Sequence, residues 1–157
     1  MNRLYIFLPV MVVMAGAFFA THEALAKVLT GTSTNDRLIG TDWDDSLAGR
    51  DGEDRLRGLR GEDRLKGSRG DDRLWGGHGG DHLWGSRGDD KIFPGEGNDK
   101  VYAGDGNDVI FARDTEGEDY IDCGAGFDKV ETIHRDDDTL SNCERAPGPE
   151  RDDIEGD

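Results

Sequence analysis

Positive charge is the scarcer sign in this chain: 19 Lys and Arg stand against 35 Asp and Glu, a formal net charge of −16 over 157 residues. A chain that acidic excludes nucleic acid and anionic membrane as partners, and it suits divalent cations instead. Apolar residues are also few, 34% of the total, and the run 4–20 near the N-terminus takes a large share of them. The remainder is too poor in core material to hold a fold by burial alone. Signatures of catalysis are missing as well. There is no HExxH, Walker loop or EF-hand spacing, and Gly31-Thr32-Ser33-Thr34-Asn35 lacks the closing glycine of a nucleophile elbow. Cysteine is limited to Cys123 and Cys143.

The N-terminal run has a purpose of its own. Arg3 supplies a short basic head, the apolar stretch follows, and Ala24-Leu25-Ala26 forms a small-residue cleavage site. Residues 1–26 therefore read as a signal peptide, and the mature protein is expected to begin at Lys27 and to be secreted. An uncleaved anchor is the competing reading of the run, against which Pro9 and the Ala-x-Ala ending stand. No cysteine follows directly, which argues against a lipoprotein anchor, so no membrane association is expected after cleavage.

What the chain has in abundance is order at a period of nine. From Gly31 to Phe111 it divides without a gap into nine blocks of nine, each with aspartate at the sixth place: Asp36, Asp45, Asp54, Asp63, Asp72, Asp81, Asp90, Asp99 and Asp108. Two places later comes an aliphatic residue every time: Leu38, Leu47, Leu56, Leu65, Leu74, Leu83, Ile92, Val101 and Ile110. Glycine holds the first place at Gly31, Gly40, Gly49, Gly58, Gly67, Gly76 and Gly85, and the fourth at Gly52, Gly61, Gly70, Gly79, Gly88, Gly97 and Gly106. An in-phase repeat of this length is the mark of a solenoid.

One block, GRDGEDRLR at 49–57, shows the physics. Glycines at the first and fourth places permit positive φ and let backbone carbonyls turn toward a common point. The aspartate adds a hard anionic oxygen at the end of the turn. The last three residues alternate polar, aliphatic, polar, a short strand with a single inward side chain. Such a strand can exist only in a stack. With two blocks per coil, residues 18 apart lie one strand spacing apart, about 4.8 Å. Asp54, Asp72, Asp90 and Asp108 then line one edge and Asp45, Asp63, Asp81 and Asp99 the other. Carboxylates at that distance repel by about 3.5 kcal/mol per neighbouring pair at an effective dielectric near 20. Burying one aliphatic side chain per block returns only about 1.5–3 kcal/mol. A cation between successive aspartates reverses the sign, and an all-oxygen ligand set points to calcium.

Blocks 67–75 (GSRGDDRLW), 76–84 (GGHGGDHLW) and 103–111 (AGDGNDVIF) resemble the RTX, or hemolysin-type, calcium-binding nonapeptide GGxGxDxUx. The resemblance extends over all nine blocks and, less regularly, to about Glu131. It implies an all-β fold, a right-handed parallel β-roll, with several calcium ions held between turns. The implied ligands are the carboxylates of Asp54, Asp63, Asp72, Asp81, Asp90, Asp99 and Asp108, with Asp36, Asp45, Asp119 and Asp128 as further candidates. Carbonyls from Gly49, Gly52, Gly58, Gly61, Gly67, Gly70, Gly76, Gly79, Gly85, Gly88, Gly97 and Gly106 would complete the shells. The first two blocks depart from the pattern, with Thr34 and Trp43 at the fourth place and Thr32 and Thr41 at the second. Arg50, Leu59, Ser68 and Ser86 also replace the second glycine. Toxin and hydrolase activities found beside such repeats are not carried over, because 27–30 offers no room for another domain before the repeats.

Beyond Phe111 the register slips. Residues 112–122 keep Gly117, Asp119 and Ile121 in the expected relation but span two residues too many, and 123–131 return to nine with Asp128 and Val130 in place. The β-roll is thus expected over 27–131, an atypical capping repeat over 132–146, and an acidic disordered tail over 147–157. Cys123 and Cys143 in an exported chain read as one disulfide in the cap. A pair of free thiols remains the alternative, and a zinc site with His134 would lack an obvious fourth ligand. Ninth-place Trp75, Phe93 and Phe111 should form one outward ladder and Trp84 and Tyr102 another. Either packs across strands or serves as a platform for sugar or protein. Arg55, Arg64, Arg73, Lys91 and Lys100 should stand beside the ladders as solubilising charges. His78 and His82 read as solvated histidines. The expected function is non-enzymatic calcium binding by a secreted domain that folds on calcium, serving surface attachment or calcium sequestration. The alternative is an accessory module or small enzyme acting on extracellular polysaccharide, which needs a convergent acid/base pair on an outward column.

Overall fold

A computed structural model describes residues 26–112, 117–132 and 138–143. Every regular element among them is a strand. Numbered along the chain, the strands are β1 (Val28–Thr30), β2 (Arg37–Ile39), β3 (Ser46–Asp51), β4 (Arg55–Arg60), β5 (Arg64–Arg69), β6 (Arg73–His78) and β7 (His82–Arg87). They continue as β8 (Lys91–Glu96), β9 (Lys100–Asp105), β10 (Val109–Ala112), β11 (Tyr120–Ala125), β12 (Lys129–Thr132) and β13 (Thr139–Ser141). Odd-numbered strands form one sheet and even-numbered strands the other, each in sequence order.

All pairings are parallel, and the register shows how a coil is built. Leu56 lies beside Leu74 and Leu74 beside Ile92, while Leu65 lies beside Leu83 and Leu83 beside Val101. Each step is 18 residues, so two blocks make one coil of a parallel β-solenoid. Past 113–116 the step becomes 20: Ile110 pairs with Val130 and Val101 with Ile121. The two extra residues fall between β10 and β11, and the sheets continue in phase.

Eighth-place side chains fill the space between the sheets. Leu47, Leu56, Leu65, Leu74, Leu83, Ile92, Val101, Ile110 and Ile121 are buried in one continuous row. Each contributes about 1.5–3 kcal/mol of burial, but no coil has more than two. The strands are longer than the three residues expected. Most run to six, because pairing with the neighbouring coils resumes at the second and third places of the next block. The first place also points inward, so Ala103, Ala112 and Cys123 are buried with the aliphatic row.

A disulfide joins Cys123 to Cys143, with Cα atoms 5.0 Å apart. It ties β11 to the residue two positions past β13, inside the last coil. The two sulfurs bond each other, so neither is a thiolate for zinc; His134 lies outside the described residues. Residues 1–25 of the expected signal peptide, 133–137 and 144–146 of the expected cap and the expected tail 147–157 also lie outside them.

Candidate metal centre

Every sixth-place aspartate turns into the solenoid at a corner. Asp45, Asp54, Asp63, Asp72, Asp81, Asp90, Asp99 and Asp108 are at most 2% exposed, and Asp119 and Asp128 are buried as well. From Asp54 onward each uses one oxygen in the same way: Oδ1 accepts the main-chain N–H of the aspartate one coil earlier. Asp36 N–H donates to Asp54 at 2.7 Å, Asp54 to Asp72 at 2.7 Å, Asp72 to Asp90 at 2.8 Å and Asp90 to Asp108 at 2.8 Å. Along the other corner Asp45 donates to Asp63 at 2.7 Å, Asp63 to Asp81 at 2.8 Å and Asp81 to Asp99 at 2.7 Å. The chains continue past the slip: Asp99 donates to Asp119 and Asp108 to Asp128, both at 2.9 Å. The expected ladders are present, and they are interior rather than exposed edges.

The second carboxylate oxygen behaves differently. Oδ2 of Asp54, Asp63, Asp72, Asp81, Asp90, Asp108 and Asp128 is buried and finds no hydrogen-bond donor among the described residues. Leaving a charged acceptor buried and unsatisfied costs several kcal/mol. Those of Asp54, Asp63, Asp72, Asp81 and Asp90 face the first-place glycines, whereas Ala103 and Cys123 hold that place before Asp108 and Asp128. A β-carbon on Gly49, Gly58, Gly67, Gly76 or Gly85 would overlap the Oδ2 of the aspartate five residues on. At Gly58 the same small space also receives the carbonyl of Gly76, 2.7 Å from where the β-carbon would sit, and at Gly85 the carbonyl of Ala103, at 2.5 Å. A carboxylate oxygen and a carbonyl from the next coil therefore converge where a side chain is forbidden.

The two glycine columns thus have different jobs. First-place glycines do not take positive φ, contrary to the expectation; they are glycine because the carboxylate needs the room. Positive φ belongs to the fourth place, Gly52 to Gly106, at 107° to 146°. It belongs also to the second place, whether the residue is Gly77, Gly95 and Gly104 or the strained Arg50, Leu59, Ser68 and Ser86, at 87° to 99°.

The first two blocks depart chemically as well as in sequence. Asp36 Oδ2 accepts the N–H of Thr32 at 2.6 Å and its hydroxyl at 2.9 Å. Asp45 is likewise bonded by the N–H and hydroxyl of Thr41. Second-place threonine therefore supplies the donors that later blocks lack, which sets Asp36 and Asp45 apart from the orphaned carboxylates.

Burial without a counter-ion pushes the inner carboxyls upward. Asp54 is raised by desolvation, and the neighbouring Asp36 charge adds to it despite the Asp36 N–H that favours ionisation. The same causes carry Asp63 and Asp108 to about 6, Asp72 and Asp81 to about 7 and Asp90 to about 8. His82 moves down, first by burial and then by Lys100 and Arg64 beside it. His78 sits on the opposite sheet, bonded through Nδ1 to Glu96 at 2.7 Å, so the two histidines do not converge. No group of three or more His, Cys, Asp or Glu side chains meets among the described residues. A cation here would have to take most of its ligands from backbone carbonyls.

Three features went unread in the sequence. Asp138 accepts the Asp119 N–H at 3.1 Å and adds a rung; the pattern Asp138-Thr139-Leu140-Ser141 carries the signal, without the glycines. Lys27 occupies the matching sixth place at the other end, its N–H donating to Asp45 Oδ1. Fifth-place side chains form an outer ladder, with Asn35, Asp44, Asp71, Asp89, Asn98 and Asn107 each accepting the fifth-place N–H one coil later.

Fold and corner chemistry together define a class: parallel β-solenoids of paired nonapeptides with an inward carboxylate at each corner. Within it the affiliation is specific. The family model for the RTX calcium-binding nonapeptide repeat matches residues 30–65, 57–92 and 93–130, well over half of the chain, and the chain belongs to that family. RTX nonapeptide repeats bind calcium, and such a repeat is typically a structural, non-catalytic domain. No curated protein matches the chain.

Proposed function

We propose that this is an exported, non-enzymatic calcium-binding protein whose solenoid folds as calcium enters its corners, serving surface attachment or calcium sequestration. The observation that carries the reading is the row of buried Oδ2 atoms without donors, those of Asp54, Asp63, Asp72, Asp81 and Asp90 each beside a glycine whose missing side chain leaves space. Asp54, Asp63, Asp72, Asp81, Asp90 and Asp108 would hold the ions, with Asp99, Asp119 and Asp128 continuing the rows. First-place carbonyls such as those of Gly76 and Ala103 would add neutral oxygens. Calcium, when bound, supplies the positive charge and the oxygen-seeking coordination that these corners lack. Asp36 and Asp45, satisfied by Thr32 and Thr41, contribute least.

The reading as a polysaccharide-active enzyme loses support at the outward columns. Their aromatic rings stack on one another instead of lining a cleft.

The test is a calcium titration followed by circular dichroism. Asp72 serves two neighbouring corners, so Asp72→Ala should raise the calcium midpoint several-fold. Asp153→Ala, the same charge change in the acidic C-terminal run, should leave it in place. Equal shifts would mean that bulk charge alone controls folding. A fully folded protein in excess chelator would be equally damaging to the reading.

A further inference from the structure

Lys27 continues one carboxylate ladder beyond its last aspartate. It lies 18 residues before Asp45, and its main-chain nitrogen donates to Asp45 Oδ1 as each sixth-place nitrogen on that ladder does to the aspartate one coil on. Its carbonyl in turn accepts the Ser46 N–H at 2.8 Å, and Val28 and Leu29 pair with Ser46 and Leu47. Asp45 is 2% exposed, and no ion pair reaches it among the described residues. The Thr41 donors satisfy its oxygens but not its charge. The bond between Ala26 and Lys27 is exposed, and it is the bond at which Ala24-Leu25-Ala26 directs cleavage.

We infer that cleavage after Ala26 makes Lys27 nitrogen an α-ammonium that pairs with the buried Asp45 carboxylate, closing this end of the ladder with a covalent cation in place of a metal ion. The inference rests on the export reading given above. The step is a peptide hydrolysis by an export-pathway endopeptidase. Water adds hydroxide to the Ala26 carbonyl and gives its other proton to Lys27 nitrogen, the C–N bond breaks with its electron pair left on nitrogen, and the new Ala26 carboxylic acid ionises to supply the second proton of the α-ammonium. A neutral N–H···O contact becomes a charge-assisted one, roughly twice as strong. The first corner of this ladder then needs no calcium, in keeping with the Thr41 donors that close the Asp45 carboxylate where later blocks leave it open.

The experiment compares three proteins in saturating calcium: the full-length chain, the chain beginning at Lys27 with a free amine, and the latter acetylated at its α-amino group. Hydrogen exchange at Ser46 and Asp45 is the readout. The free-amine form should protect these amides about three- to tenfold more than the other two, with the amides of β7 and β9 unchanged. In the Asp45→Asn background the difference should vanish, because the amide oxygen can still accept the Lys27 N–H while the negative charge is gone, and the acceptor lost to the Thr41 N–H is lost in all three proteins alike. Equal protection in all three proteins would overturn the inference, as would a difference that survives Asp45→Asn. Should that variant fail to fold, Asp36→Asn on the other ladder must leave the effect of acetylation intact, and its loss there would overturn the inference too. Intact-mass analysis of exported material reads the processing separately. A retained leader overturns the export reading, while the amine comparison on the chain beginning at Lys27 still decides the pairing.

Discussion

A β-carbon on Gly67 would overlap the Asp72 carboxylate, while the next residue, Ser68, carries its own β-carbon at φ +99°. Adjacent positions thus ask for glycine for unrelated reasons, one for space and one for backbone conformation. Relieving the second should help: Ser68→Gly is expected to stabilise the calcium-loaded protein by about 1 kcal/mol, the strain released less the added chain entropy. Gly67→Ala should destabilise it by about 2 kcal/mol or more, since an interior carboxylate has to move. Urea denaturation at fixed calcium measures both, and effects of the same sign would mean that the two roles are misassigned. The aspartates and the inward aliphatics were legible because each is a fixed residue type at a fixed period. The first-place role was not, because a glycine required for room and one required for φ are the same letter. Lys27 and Asp138 were hidden for a related reason. Both lie in sixth-place register and are followed by strands, but neither has turn glycines before it.

At the scale of the strand, the ninth place decides how neighbouring coils grip. On the even-numbered sheet Arg57 lies over the Trp75 ring at 4.8 Å. Trp75 stacks on Phe93 at 5.3 Å and Phe93 on Phe111 at 4.5 Å, with planes within 6° of parallel. On the other sheet Trp84 stacks on Tyr102 at 6.0 Å. Tyr102 then leans on Tyr120 with tilted planes, a contact the nine-residue count misses because Tyr120 sits at a seventh place. Stacked rings present their edges rather than their faces outward, which favours the packing role over a platform. Phe93 has a ring on either side, so Phe93→Ala should cost about 2–3 kcal/mol. Lys91→Ala, two residues before it on the same outward face, should cost less than about 0.5 kcal/mol. Chemical denaturation in calcium checks this. Similar losses from both would show that the ladder does not hold the coils together.

For the molecule as a whole, the carboxyl rows make stability depend on pH in an unusual direction. Asp63, Asp72, Asp81, Asp90 and Asp108 are all raised, to between about 6 and about 8, from an ordinary value of 3.8. A raised carboxyl favours the folded, protonated state. Its contribution is complete below about pH 4 and is lost as pH climbs through 6 to 8. In chelator, β-sheet content should therefore be greater at pH 5 than at pH 8, as read by circular dichroism. Calcium should abolish the difference by favouring the ionised carboxylates, with protons released on binding. A chelated protein that is less ordered at pH 5 than at pH 8 would contradict this account.

Coils that repeat every 18 residues also constrain how such a gene can lengthen or shorten. Loss or duplication of eighteen codons removes or adds one whole turn, and every column closes up in kind. Loss of the nine at 76–84 would send each downstream strand to the opposite sheet, so that Tyr102 would follow Trp75, where Phe93 now stands. Copying errors are filtered by parity: an even number of blocks changes only the length of the molecule, whereas an odd number exchanges its two faces.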